Sequence, residues 1–255
     1  MRALVERLAR NRILKRKLPP ELGSRPIYVS PDAQLGYLRP GASAFDPDLL
    51  RVAREQVAPS SEVWDIGANV GVFTLAAAVA ARPGRVLAVE ADAWLAELIR
   101  RSAAEPRNHD LTIDVLSAAI ADHDGTGTFL VAARGRSSNS LEQAGGRSQM
   151  GGVRSRVLVP MLGLDTLLRD RPAPQLVKID VEGAELAVLS GASHLLSQVR
   201  PRLFVEVGEQ DNGAVSELLG QAGYRLFDGS RPLAGQAPSP RCFFNTLAIP
   251  EELPA

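Results

Sequence analysis

Two hydrophobic periods take turns along this chain, and from residue 62 onward they do so regularly. Glu62–Ile66 reads as a strand, Gly67–Gly71 as a turn, and Val72–Ala81 as a helix with an apolar stripe. Arg85–Glu90 is a second predicted strand, Trp94–Ala104 a second helix and Leu111–Leu116 a third strand. Strands alternating with helices of this length predict a parallel sheet with crossover helices. The alternation then breaks. Gly125–Ala132 and Arg156–Pro160 read as an inserted strand pair, separated by a Gly/Ser/Arg-rich loop from Gly135 to Gly152. A loop of that length is expected to be a substrate-binding lid or a plain insertion. Gln175–Asp180 resumes the sheet, Glu185–Ser197 is a helix, and Arg202–Val207 is a strand. Helix Ala214–Ala222 and strands Tyr224–Phe227 and Cys242–Ile249 close the pattern. The expected fold is α/β, a doubly wound, Rossmann-like sheet of seven strands.

The first 61 residues are less regular. Met1–Lys17 carries seven basic residues and one acid, with Leu4, Leu8, Ile13 and Leu14 near helical spacing, and Pro19-Pro20 ends it. It is expected as a surface helix, with a lid or a contact to an anionic surface as the alternative. Arg25–Pro47 is turn-rich, and Asp48–Gln56 reads as a short helix. The expected division is a basic, turn-rich extension over residues 1–45 and a catalytic domain over 46–255.

Composition narrows the partners. Lys plus Arg and Asp plus Glu are each 29, so no net charge draws the chain to nucleic acid or membrane. Only three of the basic residues are lysines, a bias typical of GC-rich bacterial genomes. The single cysteine, Cys242, excludes a disulfide framework and a multi-cysteine zinc site. His109, His123 and His194 are the only histidines, too few for a His-rich metal centre. The longest apolar run, Val70–Ala81, is too short to span a bilayer, and no signal-peptide core follows the basic start. The expected compartment is the cytoplasm.

Candidate chemistry begins at the strand–turn–helix Val63-Trp64-Asp65-Ile66-Gly67-Ala68-Asn69-Val70-Gly71, which has the nucleotide-edge geometry of open α/β sheets. A dinucleotide fingerprint needs glycine at position 69, and a P-loop needs Gly-Lys-Ser/Thr at its end. This chain has Asn69, and Val72 follows Gly71. The turn therefore suits a ligand without phosphates there. Asp65 at the strand end repels phosphate but suits an ammonium or sulfonium, and S-adenosylmethionine carries both. Glu90 stands 19 residues past Gly71, the spacing of an acid that accepts from ribose hydroxyls. Ser117-Ala118-Ala119-Ile120 falls in the third loop of the same face, where small residues admit an adenine ring or simply fit a tight connection.

These residues carry a resemblance. The chain resembles the FkbM-type methyltransferases, a branch of the class I S-adenosylmethionine-dependent enzymes, from about Tyr37 to its end. The matching stretches are Trp64–Gly71, Val86–Glu90, Val177-Lys178-Ile179-Asp180-Val181-Glu182-Gly183-Ala184-Glu185 and Arg202–Val207. The Lys-Ile-Asp-Val-Glu-Gly block is the most specific of them. The resemblance implies methylation of an oxygen on a natural product or glycan. It also implies S-adenosylmethionine as cofactor, with Asp65, Gly67, Ala68, Asn69, Gly71, Glu90 and Ala119 as the residues expected to hold it.

Asp180 and Glu206 end the fourth and fifth parallel strands on the ligand face, and Glu182 lies two residues beyond Asp180. Either Asp180 or Glu182 also suits a helix cap near Gly183. An alcohol acceptor must lose a proton, and a positioned base contributes about 10²–10⁴-fold. Asp180 is the first candidate base, with Glu206 second and Glu182 third. The alternative is a divalent cation such as magnesium held by the three carboxylates, which is not favoured. Two rival functions remain. Arg134, Arg136, Arg147, Arg154 and Arg156 around one loop suggest a nucleic-acid methyltransferase, against which stand the zero net charge and the scarcity of aromatics for base stacking. The other rival is an inactive cofactor-binding scaffold. A small-molecule or glycan acceptor is the expected partner, without nucleic acid or membrane span, and the amphipathic N-terminus suits a homodimer.

Overall fold

The computed structural model describes residues 2–144 and 151–254. The N-terminal part comprises α1 (Arg2–Ala9), β1 (Leu14–Lys17), β2 (Pro26–Val29) and α2 (Pro47–Gln56). Then come β3 (Glu62–Ile66), α3 (Val72–Ala81), β4 (Arg85–Val89), α4 (Ala93–Ala103) and β5 (Thr112–Leu116). The insertion holds β6 (Ala119–Ala121), β7 (Gly125–Ala132), β8 (Ser140–Leu141) and β9 (Val153–Gly163), followed by the short α5 (Leu164–Leu167). The last stretch is β10 (Leu176–Ile179), α6 (Glu185–Ser190), β11 (Arg202–Glu206), α7 (Asn212–Gln221), β12 (Tyr224–Asp228) and β13 (Asn245–Pro250).

Seven strands form the central sheet in the order β12–β13–β11–β10–β3–β4–β5. Its five strands from β11 to β5 are parallel, and β13 enters antiparallel between β11 and β12. The doubly wound expectation therefore holds. β3 is buried along its whole length and α3 over most of its surface, as a sheet covered on both faces requires. One apolar layer joins Val63, Phe73 and Leu75 to Leu18, Ile27, Val29 and Tyr37 of the N-terminal segment. The other layer joins Trp64, Val177 and Leu203 to Val188 of α6 and Leu219 of α7. A second sheet, β6–β9–β7–β8, is built around the long β7–β9 hairpin. Among the described residues, no helix is long and apolar enough to cross a membrane.

Four expectations change. The basic N-terminal segment is not one helix: Leu14–Lys17 pairs antiparallel with Pro26–Val29, and Lys15 and Lys17 alternate outward with the period of a strand. The predicted helix Glu185–Ser197 stops at Ser190, and a π-turn over Leu195–Val199 follows. At Gly191, between them, a Cβ would come within 2.5 Å of the Ala121 carbonyl, so the chain passes β6 there too closely for a regular helix with side chains. Ala119 and Ile120 are not loop but the start of β6, parallel to β9. Cys242 precedes its strand, which begins at Asn245, and its N–H donates to Ser216 Oγ at 2.8 Å.

The loop from Gly135 to Gly152 is also more ordered than a lid, as far as Ala144; residues 145–150, Arg147 with them, lie outside the described residues. Asn139 is buried, accepts from the Ala132 N–H at 2.8 Å and donates to Asp92 Oδ2 at 2.9 Å. Ser140–Leu141 pairs with β7. Arg136 bridges Asp32 and Asp92 and lies 4.6 Å over the Trp94 ring. These bonds form within the protein, which removes the reason for Gly135–Ala144 to await an acceptor.

Candidate active site

The strand ends of β3, β4, β10 and β11 converge on one edge of the sheet, where open α/β folds bind ligands. A cleft of about 610 Å³, counted to its open mouth, lies there. Its apolar wall includes Ile66, Val89, Leu95, Ile120, Phe129 and Leu141, and its polar groups include Asn69, Glu90, Arg136, Asp180 and Glu182.

The glycine turn is built by backbone geometry. Gly67 has φ +74°, and a Cβ there would sit 1.8 Å from the Asp180 carbonyl oxygen. Only glycine lets β3 and β10 end so close together. Gly71 caps α3 with φ +84°, where a Cβ would meet Ile99 at 3.1 Å. Gly71 does not reach the cleft wall, and Ala68 is buried with its side towards a neighbouring cleft. Gly67, Asn69, Glu90 and Ala119 do line the first cleft.

Glu90 is 7 % exposed, and its two oxygens accept from the N–H of Asn69 at 2.7 Å and of Asp92 at 2.8 Å. Burial pushes its carboxyl up to about 7, against the pull of those two N–H donors. A carboxylate offers about four acceptor positions, so two remain for a ligand.

Asp65 is not in the cleft. It is wholly buried, accepts from Thr74 Oγ1 at 2.6 Å, and stands 3.2 Å from Lys178 Nζ. The cause is register: β3 and β10 are parallel neighbours in which Asp65 faces Lys178. The expectation that Asp65 meets a ligand cation is therefore replaced by an internal ion pair. Lys178 also donates to the Gly67 carbonyl at 2.6 Å and lies 3.5 Å from Asp180 Oδ2. An ammonium has three donors, and three oxygens surround this one. Burial alone would lower the Lys178 pKa, but Asp65 and Asp180 outweigh it and raise it. A lysine inside the apolar run Leu176–Ile179 is the sequence signal for this group.

Asp180, Glu182 and Glu206 each place a carboxylate oxygen within 4.8 Å of the others, an arrangement able to hold a metal ion. The three candidate residues therefore do converge. They do so through a bend rather than an extended chain, because Glu182 adopts φ +57°. Neither Asp180 nor Glu182 caps α6; its N-cap is Ala184, and Glu185 takes the Gly183 N–H at 3.0 Å. Asn69, at φ +53°, sits on the facing turn. Non-glycine residues in this region are uncommon, and they cluster at functional sites.

A second cleft, about 700 Å³ with its mouth, adjoins the first and shares Asn69, Ser137, Asp180 and Glu182 with it. Its far wall comes from Gln34, Tyr37, Asp46 and Leu49. These residues carry no motif, and the sequence offered no signal for them. None of the histidines lines either cleft, and all three are exposed. Of the arginines that suggested a nucleic-acid surface, Arg136 and Arg154 pair with the buried Asp32, whereas Arg134, beside Glu6, and Arg156, beside Glu142, remain exposed.

Comparisons with known proteins complete the description. No curated protein matches the chain. Among solved structures, a methyltransferase FkbM from Methylobacillus flagellatus KT is 16% identical, with 86% of this chain and 58% of that one covered at a TM-score of 0.48. A precorrin-6y C5,15-methyltransferase from Geobacter metallireducens GS-15 is 14% identical, covering 71% and 72% at 0.44. An rRNA methylase from Streptococcus thermophilus is 11% identical, covering 78% and 90% at 0.42. The family model of the methyltransferase FkbM domain matches residues 65–226. That stretch is more than half of the chain and runs from the carboxylate under the glycine turn past the three converging acids, so the chain belongs to the FkbM methyltransferase domain family.

Proposed function

We propose that this protein is an S-adenosylmethionine-dependent O-methyltransferase whose acceptor is a hydroxyl on a small molecule or glycan. The observation that carries the reading is the meeting of two clefts at Asp180: one has the walls of a nucleoside site, and the other is open to an acceptor. The first cleft fits the cofactor by its donor set. Glu90 keeps acceptor positions for ribose hydroxyls, Gly67 and Asn69 form the turn beside it, and Ala119 with Ile120 leaves a flat apolar wall. When bound, S-adenosylmethionine supplies a methyl group on a positively charged sulfur.

The chain's own residues do the rest. Asp180 takes the proton from the acceptor hydroxyl, with Glu206 as the second candidate and Glu182 beside them. Lys178, 3.5 Å from Asp180 Oδ2, holds that carboxylate in place. Alignment of acceptor and methyl donor is worth about 7–11 kcal/mol in intramolecular analogies. A magnesium ion on the three carboxylates is the second reading, favoured by their 4.8 Å convergence. Transfer of labelled methyl to acceptors in a cell extract tests the activity, and its absence overturns the proposal. Asp180→Asn should lower the rate about 10²–10⁴-fold with S-adenosylhomocysteine affinity kept. Wild-type activity should survive chelator, whereas loss with chelator and rescue by magnesium would install the metal reading.

A further inference from the structure

We propose that Asp92, Arg136 and Asn139 are positioning residues of the cofactor cleft: Arg136 and Asn139 hold the Asp92 side chain, and the Asp92 backbone holds the Glu90 carboxylate. The inference rests on the proposed reading of the first cleft as the cofactor site. Three observations carry it.

The first is how Glu90 is held. Each of its oxygens takes one backbone N–H, from Asn69 on the glycine turn at 2.7 Å and from Asp92 before α4 at 2.8 Å. Two amides on different segments fix the plane of the carboxylate. They thereby fix the direction of the acceptor positions left for ribose hydroxyls. A shift of either amide turns that plane, and groups that meet a ligand must be held to about 0.5 Å by the residues behind them.

The second is what fixes the Asp92 amide. Asp92 is buried, and its two side-chain oxygens have separate tasks. Oδ1 accepts from the Trp94 N–H at 3.0 Å and caps α4. Oδ2 accepts from Asn139 Nδ2 at 2.9 Å and from Arg136 Nη1. The cap needs only the first oxygen, so the second is committed to the insertion. A buried carboxylate stripped of its cation is costly, which keeps the Asp92 backbone where Arg136 stands.

The third is anchorage. Arg136 and Asn139 do not hang on Asp92 alone. Asn139 Oδ1 accepts from the Ala132 N–H at the end of β7, and Arg136 Nε donates to Asp32 Oδ2 at 3.2 Å. The Arg136 guanidinium also lies over the ring of Trp94, the residue whose amide Asp92 caps. Arg136, Asn139 and Glu90 line the first cleft, whereas Asp92 lines neither cleft. Asp92 therefore acts on a ligand through its neighbours. Its carboxylate reads the position of the insertion, and its amide passes that position to Glu90.

Calorimetric titration of the full chain with S-adenosylhomocysteine tests this. Asp92→Asn keeps an oxygen for the α4 cap but turns an NH2 group towards the donors of Arg136 and Asn139. It should weaken binding about tenfold in the wild-type background. In a Glu90→Gln background the same change should cost less than about twofold, because its effect passes through Glu90. Arg136→Gln should follow the same pattern, and Arg136→Lys, which keeps a cation opposite Asp92, should recover part of the affinity. Melting curves confirm that each variant is folded, and if Asp92→Asn fails to fold, the Arg136 pair in both backgrounds decides alone. Wild-type affinity in folded Asp92→Asn and Arg136→Gln overturns the inference. So does an equal loss in the Glu90→Gln background, which marks a merely structural effect, or an affinity in Arg136→Lys no better than in Arg136→Gln. The two readings stay apart: failure of the wild type to bind S-adenosylhomocysteine removes the proposed function, whereas wild-type binding with any of these results removes only the positioning role.

Discussion

Glu90 is the residue whose ionisation the fold most visibly controls. Its carboxyl titrates near 7 when folded and near 4.5 when exposed. The folded state therefore holds its proton more tightly, so this group's contribution to stability is full below about pH 4.5 and lost as the pH rises through 7. Melting the ligand-free protein between pH 5 and 8 should show wild type losing stability relative to Glu90→Gln, on the order of 2–3 kcal/mol. A constant difference across that range would refute the assignment. Ligand binding should run the other way: S-adenosylhomocysteine affinity should rise from pH 6 to 8 in wild type and stay level in Glu90→Gln, read by calorimetry. Lys178 invites a different test. Lys178→Met leaves Asp65 buried beside no cation, which should cost about 3–5 kcal/mol of stability. Adding Asp65→Asn should restore much of that loss, because the pair then disappears together. Chemical denaturation of both variants measures the difference.

At the scale of elements, the bonds of Gly135–Ala144 favour the plain insertion over the lid, the two readings the sequence left open. Arg136, Asn139 and Arg154 tie the insertion to Asp32 and Asp92, and the backbone of the β7 end leans on the Asn139 side chain. The Ala132 amide should be protected from hydrogen exchange without any ligand, and Asn139→Ala should release it by at least tenfold. Exchange at that amide that slows only when ligand is added would restore the lid. The sequence showed Gly, Ser and Arg in this loop, and those residue types do not reveal which carboxylates will stand opposite. The helix after β10 teaches the same point from the other direction. Its apolar spacing continued to Ser197, but contact with β6 at Gly191 ended it after six residues.

For the whole molecule, the decisive feature is that the N-terminal segment belongs to the main core. Leu18, Leu22, Ile27, Val29 and Tyr37 are buried in one layer with Val52, Phe73 and Leu75. A chain beginning at residue 46 would expose that layer of α3, at about 25 cal/mol for each Å² of apolar surface left to water. It should be insoluble or lack a cooperative melting transition, as circular dichroism would record. A truncated chain melting like the full one would show that residues 1–45 are an appendage.

By itself, the amino-acid sequence determined the alternation of strands and helices, the glycine turn and the strand-end acids. Each of these is local: a period of two or 3.6, a φ that only glycine accepts easily, or a charge at the end of an apolar run. Asp180 and Glu206 were expected at one edge, because parallel strands deliver their ends there; that Glu182 bends round to bring all three carboxylates within 4.8 Å of one another was decided by the fold. Tertiary structure alone decided that Asp65 faces Lys178 rather than a ligand, because strand register is set between segments more than a hundred residues apart. It alone brought Tyr37 and Asp46 to the same cleft as Glu206. Contacts of that range depend on how whole layers pack, and no spacing in the chain encodes them.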